Sequence, residues 1–210
     1  MKNFDNSYLS AKINLIAGVD EAGRGPLAGP VVAAAVIFDD KTSIPGVTDS
    51  KKLSNNTRVN LYEEITNKCI SYGVGIVDID VIEEINILQS SLKAMGIAVI
   101  KLDPKPDLVI IDGNKTFIYE KPTIAIVKGD SKSFAIAAAS IIAKVTRDRL
   151  MQQLSEQYPQ YCWHKNKGYG TREHIEAIKT YGASPFHRKS FLGNILTEQQ
   201  LELTFNKITC

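Results

Sequence analysis

Five runs of apolar residues, separated by polar or glycine-rich segments, stand out along the chain. They cover residues 15–19, 31–38, 71–77, 108–111 and 123–127. Several of these runs are apolar at almost every position, which is typical of β-strands that are covered on both faces. The pattern therefore predicts a five-stranded sheet with other structure packed against each side.

Helical patterns fill the gaps between these strands. One begins after Ser54, a candidate N-cap, and runs to residue 68. Another begins at Asp80, with Glu83 spaced for a capping box, and runs towards residue 101 with a break expected near Gln89. A third spans residues 133–156 and is apolar all round in its first half, as a buried central helix would be. Helices at 172–181 and 197–205 complete the chain.

Strands come first, and strand–helix units follow. This order predicts an α/β fold with a mixed five-stranded sheet flanked by helices and a helical C-terminal region. With 210 residues, the chain is expected to form a single domain over residues 1–210. Residues 1–160 would be its core, and residues 161–210 a basic helical extension.

Composition and cysteine usage indicate a cytoplasmic protein. The chain is 44% hydrophobic, yet no run is long enough to span a bilayer and the first residues lack the apolar stretch of a signal peptide. Its three cysteines form no CxxC pair, which favours reduced thiols, and no zinc-binding spacing is present. We expect a monomer with no membrane partner.

Charge is unevenly distributed along the chain. Residues 1–160 carry 18 Lys and Arg against 19 Asp and Glu, whereas residues 161–210 carry 7 against 4. A near-neutral body with a basic last quarter is compatible with a polyanionic ligand.

Four carboxylates follow or end the apolar runs. Asp20 and Glu21 come directly after the first run, Asp112 ends the fourth, and Asp130 follows the fifth. In open α/β sheets, ligands bind at the carboxyl ends of the strands, so these side chains are expected to converge at one edge. Carboxylate oxygens suit Mg²⁺ or Mn²⁺, and two such ions about 3.5–4 Å apart support in-line displacement at phosphorus.

Each acid also has a simpler interpretation. Asp20 and Glu21 could be solvated residues at a strand end, Asp112 could be a turn residue before Gly113, and Asp130 could cap the following helix. Adjacent strand residues also point to opposite faces. Asp20 and Glu21 can share one site only if the strand bends or Glu21 lies just past its end.

Three further segments could contact a nucleic acid. Gly23, Arg24 and Gly25 could approach a phosphate or hydroxyl closely through their backbone. The second segment, residues 164–172, places Lys167 and Tyr169 in a glycine-rich loop suited to phosphates and to a sugar or base, although it could equally be a surface loop. The third is a basic turn that contains Lys51 and Lys52.

The order and sequence of these blocks resemble the ribonuclease HII family. Residues 18–30, Gly-Val-Asp-Glu-Ala-Gly-Arg-Gly-Pro-Leu-Ala-Gly-Pro, resemble its opening signature. Further blocks fit at residues 49–53, 111–113, 128–131, 140–148, 167–171 and 187–191. Because only a short segment precedes the first strand and Tyr169 is present, type II fits better than the related type III enzymes.

The resemblance implies a ribonuclease H-like fold and a two-metal endonuclease. Such an enzyme cuts the RNA strand of RNA–DNA hybrids and nicks duplex DNA on the 5′ side of an embedded ribonucleotide, leaving a 3′-hydroxyl and a 5′-phosphate. Carried over, Asp20, Glu21, Asp112 and Asp130 become the metal-binding acids, with Asp20 bridging both ions. Residues 23–25 and Tyr169 become readers of the ribose 2′-hydroxyl, which only RNA offers.

Two alternatives remain beside this interpretation: another metal-dependent nuclease of the same fold, such as a resolvase, and a non-catalytic binder of RNA–DNA hybrids. The C-terminal segment Gln200–Phe205 resembles a short motif that docks on the sliding clamp, although an amphipathic helix packing on the body is the simpler interpretation.

Overall fold

The computed structural model describes residues 1–197 and residue 200. It contains a mixed five-stranded sheet in the order β3-β2-β1-β4-β5. The strands are β1 (Ile16–Ala22), β2 (Val31–Ile37), β3 (Ser71–Val77), β4 (Leu108–Asp112) and β5 (Thr123–Ile126). The first three strands are antiparallel neighbours, while β4 runs parallel to both β1 and β5. The five predicted strands are confirmed, although β1 continues three residues further than the apolar run.

Helices cover both faces of this sheet. The helices of the described chain are α1 (Lys2–Asn6), α2 (Asn55–Lys68), α3 (Ile79–Ile100), α4 (Phe134–Gln157), α5 (Trp163–Asn166) and α6 (Arg172–Tyr181). One apolar cluster joins the sheet to α4 and α2, and a second joins its other face to α3. Gly18 lets α4 lie directly on β1, since a Cβ there would stand 2.2 Å from the carbonyl carbon of Ala135.

Helix starts follow the capping residues in most cases. Ser54, Ser133 and Thr171 each accept a hydrogen bond from the backbone N–H three residues further on. The predicted capping box at Asp80 is wrong, because α3 begins at Ile79 and Glu83 instead accepts hydrogen bonds from Ser190.

The predicted break in α3 is misplaced by three residues. It lies at Asn86, whose φ of 67° and ψ of 165° are not helical. The Oδ1 atom of Asn86 accepts hydrogen bonds from the N–H groups of Leu88 and Gln89, so this side chain caps the second half of the helix. Capping by Asn86 explains why the helix resumes immediately.

The C-terminal region packs against the end of α4 and the loop after β1. Ala28, Met151, Trp163 and Ile178 are buried together there. In the described part of the chain, no helix is both long and apolar enough to cross a membrane. The predicted helix at 197–205 and the motif Gln200–Phe205 lie outside the described residues, apart from Thr197 and Gln200.

Candidate nucleic-acid-cleaving site

An open cleft of about 460 Å³ lies at the end of β1 and β4, and we call it the acidic cleft. It is lined by Asp20, Glu21, Ala22, Gly23, Arg24, Gly25, Ser50, Lys51, Asp112, Lys144 and Tyr169. These residues come from widely separated parts of the chain. The parallel pairing of β1 with β4 brings Asp20 and Glu21 next to Asp112.

Asp20 and Glu21 border this cleft from opposite faces of the sheet. Both lie within β1, so the prediction that Glu21 could lie beyond the strand end is wrong. Glu21 points to the α3 side, where it also borders a smaller cleft with Leu88 and Ser91. Asp20 is buried, and its Oδ1 accepts a hydrogen bond from the N–H of Glu21 at 2.7 Å.

Asp112 ends β4 as predicted, and Asp130 lies in a short 3₁₀ turn just before α4. The Oδ1 atom of Asp112 accepts a hydrogen bond from the N–H of Gly129 at 2.6 Å, which ties the two segments together. Asp130 is buried and stands beside the cleft, with its Oδ2 atom 4.0 Å from the ammonium nitrogen of Lys51. Ser133 caps α4, so Asp130 is not needed for that task.

Crowding of these carboxylates alters their protonation. Burial, followed by the charges of Glu21 and Asp112, raises the pKa of Asp20 well above its ordinary value. The pKa of Asp130 is raised by burial and then by Asp112. For Glu21, burial raises the pKa more than the neighbouring Arg24 lowers it. The acids therefore repel one another, as expected of a site built for cations.

Lys51 is the nearest lysine to this set of acids. Burial would lower the pKa of its ammonium group, but the charges of Asp20, Asp49 and Asp130 outweigh that effect and raise it. The carboxylates thus stabilise the positive charge of the Lys51 ammonium group.

The carboxylate oxygens of these acids suit hard divalent cations, although the side chains do not converge on a single point. Within residues 1–197 and 200, no three histidine, cysteine, aspartate or glutamate side chains are grouped so as to hold a metal ion as they stand. Local partners explain this arrangement: Glu21 pairs with Arg24 at 3.3 Å, and Asp112 accepts from Gly129. Asp20, Glu21 and Asp112 nevertheless line the cleft, and oxygen ligands suit Mg²⁺ or Mn²⁺.

Residues 23–30, the 23–30 loop, follow β1 and form one wall of the cleft. Gly23 has a φ of 107°, and a Cβ there would lie 2.3 Å from Nε of Arg147. Only glycine satisfies both the backbone angle and the space. In the described chain, the N–H groups of Arg24 and Gly25 donate to no protein acceptor, so they remain available to a ligand.

Tyr169 forms the opposite side of the cleft. It is 44% exposed, and the ammonium group of Lys144 lies 5.9 Å from its ring centre. A Cβ on Gly25 would be 3.8 Å from Cε1 of Tyr169, so the ring stands directly beside the 23–30 loop. The structure thus brings the predicted residues 23–25 and Tyr169 together.

The three predicted lysines differ in position. Lys51 lines the acidic cleft, whereas Lys52 is exposed beside it and is not among the lining residues. Lys167 borders a neighbouring groove with Asp148 and Arg149, and its ammonium group donates to the carbonyl of His164 at 2.6 Å.

Several residues at the site were not singled out from the sequence. Ser50 and Lys144 line the cleft, while Arg147 and Arg188 lie buried behind the 23–30 loop. Their segments, residues 140–148 and 187–191, were visible as blocks of family resemblance. That resemblance gave the blocks no individual roles.

Comparison with known proteins identifies the family to which the chain belongs. A family model described as ribonuclease HII matches residues 17–193. The ribonuclease HII of Rickettsia akari (strain Hartford) is 58% identical over 177 residues, covering 84% of this chain and 91% of the relative.

Solved structures show the same fold. Ribonuclease H2 from Pyrococcus horikoshii OT3 matches with a TM-score of 0.72 and 31% identity, covering 92% of this chain and 99% of that one. Ribonuclease HII from Archaeoglobus fulgidus, in a complex with PCNA, matches with a TM-score of 0.67 and 28% identity over 83% and 93% of the two chains. The predicted ribonuclease H-like fold is confirmed, and the chain belongs to the ribonuclease HII family of endonucleases.

Proposed function

We propose that this enzyme cleaves the RNA strand of RNA–DNA hybrids and nicks duplex DNA on the 5′ side of an embedded ribonucleotide. The products would be a 3′-hydroxyl and a 5′-phosphate. One observation carries the proposal: Asp20, Glu21 and Asp112, the open backbone of the 23–30 loop and Tyr169 line a single cleft, and Asp130 stands beside it. A phosphodiester and its neighbouring ribose can contact all three groups at once.

The acids Asp20, Glu21, Asp112 and Asp130 are proposed to hold two divalent ions, with Asp20 bridging them. Its burial and the surrounding negative charge support this role, because bound cations would remove the repulsion that raises its pKa. Bound Mg²⁺ or Mn²⁺ would favour attack of water on the phosphorus and departure of the 3′ oxygen. Glu21 would exchange part of its contact with Arg24 for a cation.

The remaining residues position the substrate. The N–H groups of Arg24 and Gly25 can donate to a ribose hydroxyl, and the Tyr169 hydroxyl can bond to the same group while its ring packs on a sugar. Lys51 is proposed to contact a phosphate beside the acids. Lys52 and Lys167 lie further out and would contact phosphates that flank the cleavage point.

A cleavage assay with three substrates tests this function. A DNA duplex with one ribonucleotide, a plain DNA duplex and a four-way junction are each incubated with Mg²⁺ or Mn²⁺. We expect nicking of the first substrate alone, on the 5′ side of the ribonucleotide, with end-labelling used to identify the two new termini.

The same assay separates the alternatives. Cleavage of the junction would indicate a resolvase, and hybrid binding without any cleavage would indicate a non-catalytic binder. Either result, or cutting of plain DNA, would refute the proposal. An RNA–DNA hybrid is added as a fourth substrate to compare long hybrids with single ribonucleotides.

Cellular partners follow from the same proposal. Removal of ribonucleotides from DNA would place the enzyme in replication and ribonucleotide excision repair, acting as a monomer in the cytoplasm. The motif Gln200–Phe205 would tether it to the sliding clamp, a role supported by the A. fulgidus relative, which was solved in a complex with PCNA. Unchanged clamp binding after Leu203→Ala and Phe205→Ala would contradict this tether.

A further inference from the structure

Two buried arginines hold the 23–30 loop from behind. Arg147 comes from α4, and Arg188 follows α6; both are almost completely inaccessible to solvent. Within residues 1–197 and 200, neither guanidinium forms an ion pair, and both bind backbone carbonyl groups instead. A buried charge without a carboxylate partner is costly, so this arrangement calls for a specific explanation.

Arg147 connects two separate parts of the cleft wall. Its Nε donates to the carbonyl of Pro30 at 3.0 Å, and one Nη donates to that of Ala28 at 2.9 Å. The other Nη donates to the carbonyl of Lys167 at 2.8 Å, two residues before Tyr169. One rigid, planar group therefore fixes the 23–30 loop relative to the segment that carries Tyr169.

Arg188 acts on one side only. Its donors bind the carbonyls of Gly23, Arg24, Pro26 and Gly29 at distances of 2.6–3.1 Å. All of these carbonyls belong to the 23–30 loop. Arg188 therefore maintains the shape of the loop, whereas Arg147 sets its position against the opposite wall.

A further backbone bond lies beside the arginine link. The N–H of Leu27 donates to the carbonyl of Gly168 at 2.8 Å. A single bond of this kind would not by itself fix the angle between the two segments. The three directions fixed by Arg147 remove that freedom, because its donors lie in one plane at fixed angles.

We propose that Arg147 is a specificity-determining positioning residue, which sets the spacing between the backbone of residues 23–25 and the Tyr169 hydroxyl so that both bind one ribose 2′-hydroxyl. The inference rests on the proposed function of these two groups. Arg147 itself does not line the cleft, so its effect passes through the two segments that it joins. A loss of this spacing should weaken recognition of ribose more than general binding of duplex DNA.

The test compares binding to two duplexes that differ only in one 2′-hydroxyl. Affinities are measured with Mg²⁺ in an Asp130→Asn background, which is expected to bind without cutting. The variants are Arg147→Lys, which keeps the charge but loses the planar fork, and Arg147→Met, which fills the space without charge. Replacing a buried charge with an apolar residue of similar volume is often tolerated by the fold, so the second variant guards against loss of folding.

We expect the preference for the ribose-containing duplex to fall at least tenfold in both variants, with the affinity for plain DNA changing less than threefold. In the cleavage-competent enzyme, KM for the single-ribonucleotide duplex should rise accordingly. A preference within twofold of the unmodified enzyme, in whichever variant circular dichroism shows to be folded, would overturn the inference.

Met151→Leu is the matched control. Met151 is buried on the same helix and packs against Gly29, but it reaches the loop through van der Waals contact only. This variant should retain the ribose preference, and an equal loss in it would also overturn the inference. If the unmodified enzyme itself shows no ribose preference, the proposed function is refuted, and the role of Arg147 is not the cause of that failure.

Discussion

The Nε2 atom of His187 lies 3.1 Å from the Nε2 atom of His174, in the core of the C-terminal region. The N–H of Ser184 donates to Nδ1 of His187, and the indole N–H of Trp163 donates to Nε2 of His174. Both rings are therefore neutral: His187 donates through Nε2, and Nδ1 of His174 donates to the carbonyl of Tyr169. These hydrogen bonds therefore connect the histidine pair to the backbone of Tyr169, which lines the cleft.

Acid should weaken this histidine pair and with it the fold. Burial, and then the repulsion that a protonated His174 would exert, lower the pKa of His187 to about 3. The unfolded chain, with a histidine pKa of about 6.5, binds more protons between these values, so stability is complete above pH 6.5 and falls as the pH decreases. We expect the free energy of unfolding to be about 2 kcal/mol lower at pH 5 than at pH 7 from this residue. Urea denaturation at both pH values measures it.

His187→Asn provides the comparison. Asp20 and Asp130 have raised pKa values, so their contribution to stability changes in the opposite direction over the same range. Both acids remain in the variant, and the difference between the two proteins isolates the histidine. An identical pH dependence in both would contradict the assignment.

Asp130→Asn should reduce turnover by orders of magnitude while leaving hybrid binding largely intact. Loss of one proposed metal-binding carboxylate is expected to lower kcat on the order of a hundredfold or more. Single-turnover cleavage and fluorescence anisotropy measure the two properties separately. Ser131→Ala, one residue away, should cleave normally, whereas a near-normal rate for Asp130→Asn would leave Asp130 without a catalytic role.

Tyr169→Phe should reduce the preference for single ribonucleotides rather than stability. The side chain is 44% exposed, so its hydroxyl contributes little to folding, and the ring contact with Lys144 is retained. Loss of one hydrogen bond to the ribose should lower kcat/KM for the single-ribonucleotide duplex about tenfold. Tyr181→Phe, exposed on α6, serves as the control. Unaltered selectivity in Tyr169→Phe would remove the hydroxyl from the mechanism.

Gly23→Ala should damage both the fold and the activity. Its φ of 107° and the approach of Arg147 leave no room for a methyl group, and such strain costs about 1–3 kcal/mol. Thermal melting should show this loss. Gly25→Ala meets no atom closer than 3.8 Å, so its stability should change by less than about 0.5 kcal/mol. Equal melting temperatures for the two variants would show that the 23–30 loop adapts.

The strands and most helix starts were predictable because local chemistry decides them. Apolar runs defined the sheet, and Ser54 marked the start of α2 through its side-chain hydrogen bond. A break in α3 was expected near Gln89, but its exact position at Asn86 was not predictable from periodicity, since it depends on one residue adopting a positive φ. Convergence of the acids followed from the rule that strand ends gather at one edge.

The support behind the cleft could not be derived in this way. Arg147 and Arg188 received no individual role from the sequence, yet both are buried and donate to backbone carbonyls more than 100 positions away. Residue type gives no indication of such contacts, because any carbonyl can accept a hydrogen bond. The same holds for the histidine pair, whose partners are set by the packing of the C-terminal region.

One contact described by the structure bears on how the enzyme is synthesised. The carboxylate of Asp5 accepts a hydrogen bond from the N–H of Ala135 at 2.9 Å, across 130 positions of sequence. A ribosome must therefore release most of the chain before α1 can dock on α4. Because β1 can pair with β4 only after β4 has been synthesised, the nascent polypeptide carries Asp20 and Glu21 without Asp112 and Asp130 until those later segments emerge. Under the proposed mechanism, a half-made chain would lack the complete set of acids and would not cut the nucleic acids around it.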